Sequence, residues 1–232
     1  MSRRARGCFV TGTDTGVGKT VFACALLRAL RARGLDAGGM KPVETGVGAS
    51  GPQDALALRA AADDADPLDD VCPQRFALPA APTVAAAAEG RRVDLEAIDA
   101  AFARLMARHA LLVVEGAGGL LVPAADGLSM ADLAARLALP LVIVARAALG
   151  TINHTRLTLE AARSRDLPIA GVVVSFAGGR LCAADEANLS ALRGDPEIPW
   201  LGEIPPLAPH GVCDPGILGV DALLEAIAPH GA

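Results

Sequence analysis

The chain has 232 residues, enough for one large α/β domain with a buried core, and carries 26 acidic against 21 basic side chains for a net charge of −5 with histidines neutral. That balance, with no long basic run, argues against a nucleic-acid binder, and no apolar run is long enough to cross a bilayer although 52% of residues are hydrophobic. The five cysteines (Cys8, Cys24, Cys72, Cys182, Cys213) and four histidines (His109, His154, His210, His230) lack metal-ligand spacing, which favours reduced thiols in a cytoplasmic protein over structural zinc.

The opening Met1-Ser2-Arg3-Arg4-Ala5-Arg6 is basic, but a strand and a polar loop follow it, so no export segment is expected. Residues 8–11 predict the first strand and residues 19–33 the first helix, ended by Gly34, with Phe22, Leu26 and Leu30 recurring on one face. Between them runs Val10-Thr11-Gly12-Thr13-Asp14-Thr15-Gly16-Val17-Gly18-Lys19-Thr20. Glycines let successive N–H groups curl around one anion, and the helix N-terminus adds its dipole. Lys19 can neutralise β/γ-phosphate charge, and the Thr20 hydroxyl can bind Mg²⁺. Five residues, not the usual four, separate Gly12 from Gly18. A glycine-rich turn with a surface lysine is the plainer alternative; the intact Gly18-Lys19-Thr20 at a strand-to-helix junction favours a nucleoside triphosphate site.

A second strand ends near Met40-Lys41-Pro42, a loop covers residues 43–53, and a helix begins near Asp54. Residues 63–82, rich in Asp, Pro and Ala, read as irregular connection. Asp94 caps a helix whose stripe is Leu95, Ile98, Phe102, Leu105 and Met106. Leu111-Leu112-Val113-Val114 suits a strand buried on both faces. Ser129 with Asp132 forms a capping box for a helix ending before Pro140. Residues 141–145 and 169–174 are further buried strands around a helix over 152–165, and a proline-rich final third closes with a short helix through Leu223 and Leu224. The alternation predicts one domain over residues 1–232: a doubly wound, mostly parallel sheet flanked by helices, similar to P-loop NTPases.

In such sheets, ligands sit at the carboxyl ends of strands. Lys41 at one end would put a second cation over the reacting phosphate, or would be a surface lysine on an apolar stem. Glu115 closes a buried strand where a Mg²⁺-nucleotide site needs a rigid carboxylate, and the glycines of Gly116-Ala117-Gly118-Gly119 let substrate or phosphate approach the backbone closely; a plain turn after the strand is the alternative. Asp54 reads equally as a metal ligand and a helix N-cap. Gly150-Thr151-Ile152-Asn153-His154 opens a helix whose free N–H groups suit a carboxylate, and His154 has no Ser or Cys partner for a triad.

In order, these blocks resemble the dethiobiotin synthetase family across nearly the whole chain. The matches are Val10 to Thr15 with Val17 to Thr20, Lys41-Pro42-Val43 with Thr45-Gly46, Asp54-Ala55-Leu56-Ala57-Leu58, Val114 to Gly119, Gly150 with Ile152-Asn153-His154, and Leu201-Gly202-Glu203-Ile204-Pro205. The family's phosphate loop has the same extra residue. The resemblance implies an ATP-dependent ligase of biotin synthesis that makes dethiobiotin, ADP and phosphate from 7,8-diaminopelargonate, CO₂ and ATP. It implies catalytic roles for Lys41, Lys19 and Thr15, and a nucleotide site over Gly12 to Thr20, Glu115, Gly116, Ala117, Gly118, Ser175, Ile204, Pro205 and Pro206. Substrate would meet Thr15, Lys41, Thr45, Gly118, Gly150, Thr151, Ile152, Asn153 and His154, with Gly118 to Leu121 along its apolar chain. Mg²⁺ would be held by Thr20, Asp54 and Glu115. A homodimer is implied too, because the family's Gly150 to His154 segment receives the substrate carboxylate from across the interface.

The chain departs from the pattern at Ser175, where family members often carry an adenine-reading asparagine; one hydroxyl cannot present an amide's paired donor and acceptor, so base selectivity should loosen. Thr45 stands where some relatives have serine. The rival class is a partition- or division-type ATPase acting as a nucleotide-switched binding protein. Such ATPases usually have an extra lysine early in the loop, where this chain has Thr13, Asp14 and Thr15, and commonly a basic tail, where residues 220–232 have no Lys or Arg.

Overall fold

The computed structural model describes residues 6–63, 65–176, 181–206 and 219–227. Among these, six strands form one sheet: β1 (Gly7–Gly12), β2 (Ala37–Met40), β5 (Leu111–Gly119), β8 (Leu141–Arg146), β9 (Ile169–Ser175) and β10 (Trp200–Ile204). They lie in the order β10-β9-β8-β1-β5-β2, and every neighbouring pair is parallel. The predicted doubly wound sheet is therefore present. All six carboxyl ends share one edge, with β1 in the interior.

Successive side chains of a strand point to opposite faces, and here both faces are covered. Cys8, Val10 and Val113 join one cluster with α1 (Lys19–Ala32), α2 (Gln53–Ala61) and α9 (Val220–Ile227). Phe9, Leu112 and Val114 join another with α5 (Leu95–Arg108) and α6 (Met130–Arg136). Beyond β1, Ile143, Ala145, Val172 and Val174 pack with Leu159 of α7 (Thr151–Arg163) and Leu189 and Leu192 of α8 (Ala183–Arg193). Each fully buried Leu, Val or Phe side chain contributes roughly 1.5–3 kcal/mol, so these continuous apolar runs are what commits the strands to the interior. Helix α1 is more enclosed than its single stripe predicts. Ala23, Ala25, Leu27 and Ala29 are buried along with Phe22, Leu26 and Leu30, because α1 lies between the sheet and its neighbours α2 and α9.

The caps follow the sequence. Asp94 accepts from the Ala97 N–H at the start of α5, and Ser129 and Asp132 form the capping box of α6. The reading of residues 63–82 as irregular is corrected. A short helix, α3 (Leu68–Val71), lies there, and β4 (Gln74–Phe76) pairs in parallel with β3 (Val43–Thr45), which the sequence had placed in a loop. Helix α4 (Pro82–Ala88) and the small hairpin of β6 (Pro123–Ala125) and β7 (Leu128–Ser129) complete the elements before α6.

Cys8, Cys24 and Cys72 are buried free thiols, and burial pushes each up to about 12. Cys182 is an exposed free thiol; Cys213, His210 and His230 lie outside the described residues. Among the described residues, no helix is long and apolar enough to cross a membrane.

Candidate active site

The loop leaving β1 is held between two strands and a helix. The Thr13 N–H donates to Val144 O of β8 at 2.9 Å, and Lys19 Nζ reaches back to Asp14 O at 3.1 Å. Gly18 caps α1 at φ 97, a left-handed conformation that favours glycine, and no side chain caps the helix there. The first turn of α1 is thus left for an outside acceptor. Arg146, at the end of β8, braces the same loop: its Nη2 lies 3.3 Å from Thr15 O and 3.5 Å from Asp14 Oδ2. Lys19 is buried, and its pKa is lowered by burial first and by the charge of Lys41 second.

Helices α1 and α2, strand β5 and the residue just after β2 then bring one side chain each to a compact cluster. Thr20 Oγ1 lies 3.0 Å from Asp54 Oδ1 and 2.9 Å from Glu115 Oε1. Lys41 Nζ lies 2.7 Å from Asp54 Oδ2 and 2.6 Å from Glu115 Oε1. The surface-lysine alternative for Lys41 is excluded, since its side chain is 4% exposed and Glu115 is 1% exposed. Burial acts to lower the Lys41 pKa, but the charges of Glu115 and Asp54 outweigh it and hold the ammonium well above the ordinary lysine range. Burial raises the Glu115 pKa. For Asp54 burial also acts upward, and Lys41 overcomes it, so the net shift is down.

Asp54 is not the cap of its helix. The N-cap of α2 is Pro52, and the first-turn N–H groups of Asp54 and Ala55 donate to Glu44 Oε1 and Oε2 at 3.0 and 2.9 Å. That leaves the Asp54 carboxylate free to face Thr20 and Lys41. The donor set of Thr20, Asp54 and Glu115 is hard oxygen, anionic and convergent, and Glu115 Oε2 is buried with no hydrogen-bond partner. These residues fit a divalent magnesium ion.

A cavity of about 410 Å³ joins the loop to the cluster, its walls including Thr15, Lys19, Lys41, Thr45 and Gly118. The plainer alternative of a turn after Glu115 does not hold: Gly116, Ala117, Gly118 and Gly119 continue β5. Gly116 is needed for close approach, since a Cβ there would meet the Phe9 ring at 2.8 Å. A second cavity, about 450 Å³, shares Thr15 and runs past Leu120, Leu121 and Val122 to His154 and Leu157. Gly150, Ile152 and Asn153 line a separate recess with Leu149, so within one chain they do not reach the Lys41 cavity. The Thr151 side chain is buried with its hydroxyl unpartnered, and its N–H donates to Ala148 O at 3.0 Å. Ser175 and Ile204 are buried neighbours at the ends of β9 and β10, and Pro205 and Pro206 follow, all on the same sheet edge but apart from the Lys41 cavity.

Sequence reasoning passed over Glu44 and Arg146. Arg146 carried a readable signal, a charge directly closing the apolar run 141–145, the same pattern that singles out Glu115. Glu44 carried none, because its partners are backbone groups.

Comparison with known proteins adds the following. A family profile described as an AAA domain matches residues 6–211. The ATP-dependent dethiobiotin synthetase BioD of Anaeromyxobacter dehalogenans (strain 2CP-C) is 54% identical over 205 residues, covering 86% of this chain and 92% of that protein. The protein of the same name from Aromatoleum aromaticum is 44% identical over 207 residues, covering 88% and 92%. The crystal structure of cell division protein FtsY from Thermotoga maritima superposes with a TM-score of 0.55 at 14% identity over 99% of this chain and 70% of that one, a likeness of fold.

Proposed function

We propose how this chain, which belongs to the ATP-dependent dethiobiotin synthetase family, binds and joins its reactants. The reaction takes 7,8-diaminopelargonate, CO₂ and ATP to dethiobiotin, ADP and phosphate. One amine captures CO₂ as a carbamate, a carbamate oxygen takes the γ-phosphoryl group, and the second amine attacks the activated carbonyl. The cyclic urea closes as phosphate leaves. The observation that carries this assignment of roles is the convergence of Lys19, Lys41, Thr20, Asp54 and Glu115 on one cavity.

Both the carbamate and the γ-phosphate are anions, so their approach has to be offset by fixed positive charge. The loop from Gly12 to Thr20 cradles the phosphates with its N–H groups, Lys19 covers their charge, and Thr15 and Thr45 donate from the lining of the cavity. Gly116, Ala117 and Gly118 let the phosphates pass close to the backbone. Lys41 remains an ammonium at neutral pH because two carboxylates hold its proton, so it acts on charge rather than as a base. Thr20, Asp54 and Glu115 would hold Mg²⁺, which when bound supplies compensating charge to the β- and γ-phosphates. Ser175, with Ile204, Pro205 and Pro206, borders the base, and its single hydroxyl supports loose base selectivity.

The apolar chain of the substrate follows Gly118 to Leu121, and its carboxylate ends at Gly150 to His154 of a second copy. The whole chain acts as one domain in a cytoplasmic homodimer. The dimer is supported by apolar side chains left exposed around α7, with Leu149 82%, Leu157 56% and Leu121 53% exposed. Light scattering of the purified protein should give twice the chain mass; a fully active monomer refutes the shared site.

Purified protein with diaminopelargonate, bicarbonate, Mg²⁺ and each nucleoside triphosphate in turn should yield dethiobiotin by mass spectrometry, with several bases accepted. Nucleotide hydrolysis without dethiobiotin would overturn the reading in favour of a nucleotide-switched binding protein.

A further inference from the structure

We propose that Glu44 is a positioning residue that aims Asp54 into the metal-binding edge of the site. Helix α2 starts behind Pro52, which has no side chain able to cap it. Two of its orphan donors, the Asp54 and Ala55 N–H groups, go instead to the two oxygens of one carboxylate that lies ten residues earlier on β3. An aspartate in a first helical turn commonly turns back on backbone N–H groups. With those donors taken by Glu44, the Asp54 side chain reaches forward to Thr20 and Lys41.

Glu44 is itself fixed. Its strand pairs with β4 at Val43–Gln74, Glu44–Arg75 and Thr45–Phe76, and Lys41 N–H donates to Val71 O at 2.7 Å just before it. The β3–β4 ribbon, α3 and the cap thus form one brace between Lys41 and Asp54, two residues whose side chains meet. Glu44 is buried and lines the cavity, yet both its oxygens are engaged by N–H groups, so its charge is directed at α2. It would orient a metal ligand through that ligand's own backbone N–H, and loss of such supporting hydrogen bonds typically costs about 10–100-fold in metal affinity.

The inference rests on the reading that Asp54 holds the divalent ion, and the test separates the two. Mn²⁺ is titrated with ADP into the full chain, bound metal is read by EPR, and an ADP-only blank removes the solution complex. Glu44→Gln keeps size but turns an amide NH₂ toward one of the two N–H donors. It should weaken Mn²⁺ binding about tenfold and lower the thermal midpoint by about 2–4 °C. It should also raise the Mg²⁺ concentration needed for half-maximal rate while kcat at saturating Mg²⁺ stays within about twofold. Asp94→Ala removes the corresponding cap of α5, and should lower the midpoint similarly with Mn²⁺ binding unchanged. Equal Mn²⁺ affinity in wild type and Glu44→Gln, with Asp54→Ala weakened, rejects the positioning role alone. Unchanged affinity in Asp54→Ala rejects the metal reading beneath it.

Discussion

Replacing Lys41 with alanine is expected to lower kcat by at least about 100-fold, roughly 2.7 kcal/mol of transition-state stabilisation, while the nucleotide KM moves by only a few fold. The Lys41 ammonium is buried, keeps its proton, and stands beside both the carboxylates and the cavity proposed to take the reactants. A fixed positive charge in a water-poor site acts most on the charge that develops during phosphoryl transfer, and removal of one such group typically costs about 10²–10³ in rate. In the proposed assignment, nucleotide binding leans instead on the loop amides and Lys19, which the substitution leaves in place. Steady-state kinetics below the thermal midpoint of the variant give the answer; a loss under about tenfold, roughly 1.4 kcal/mol, removes Lys41 from the chemistry.

The second large effect falls on stability. Glu115→Gln leaves the Lys41 ammonium in the interior with Asp54 as its remaining carboxylate partner. Breaking a buried pair from one side costs about 3–5 kcal/mol. With Asp54 still present we expect the lower part of that range, about 3 kcal/mol, and a midpoint fall of about 6–12 °C. Activity should fall as well, because a carboxylate leaves the proposed Mg²⁺ set. The double variant Lys41→Met/Glu115→Gln should regain part of the stability of the single variant, with a coupling of about 1–3 kcal/mol. Calorimetric midpoints of the four proteins close the cycle, and strict additivity would mean that the two side chains do not act as a pair.

Much of this site was legible in the residues because most of its members announce themselves locally. Lys19 and Thr20 follow a glycine pattern, and Lys41 and Glu115 stand where buried strands give way to polar chemistry. Asp54 was ambiguous, since an aspartate at a helix start reads as a cap, and only the family resemblance separated the possibilities; the structure shows Pro52 in that place. Strands β3 and β4 were missed because three residues cannot display a period of two, and their partners lie about thirty positions apart in a stretch dominated by Asp, Pro and Ala. Strand β10 was quoted as Leu201-Gly202-Glu203-Ile204 without being read as a strand, for its glycine and glutamate interrupt the apolar run. The glycines after Glu115 suit close approach, with a turn as the alternative; in the structure they continue β5, whose pairing with β1 reaches Gly12–Gly119, and the Phe9 ring lies where a Gly116 side chain would be.

The position of β1 between β5 and β8 has a consequence for biogenesis. Thr20, Lys41, Asp54 and Glu115 are spread over nearly a hundred positions, and they meet only once Leu111–Gly119 has docked beside Gly7–Gly12. Parallel pairing at that range is slow and cannot start from a local turn. A chain still emerging from the ribosome, with β1 and its loop already exposed, therefore lacks the assembled cluster. Its capacity to turn over nucleotide arrives together with its tertiary structure.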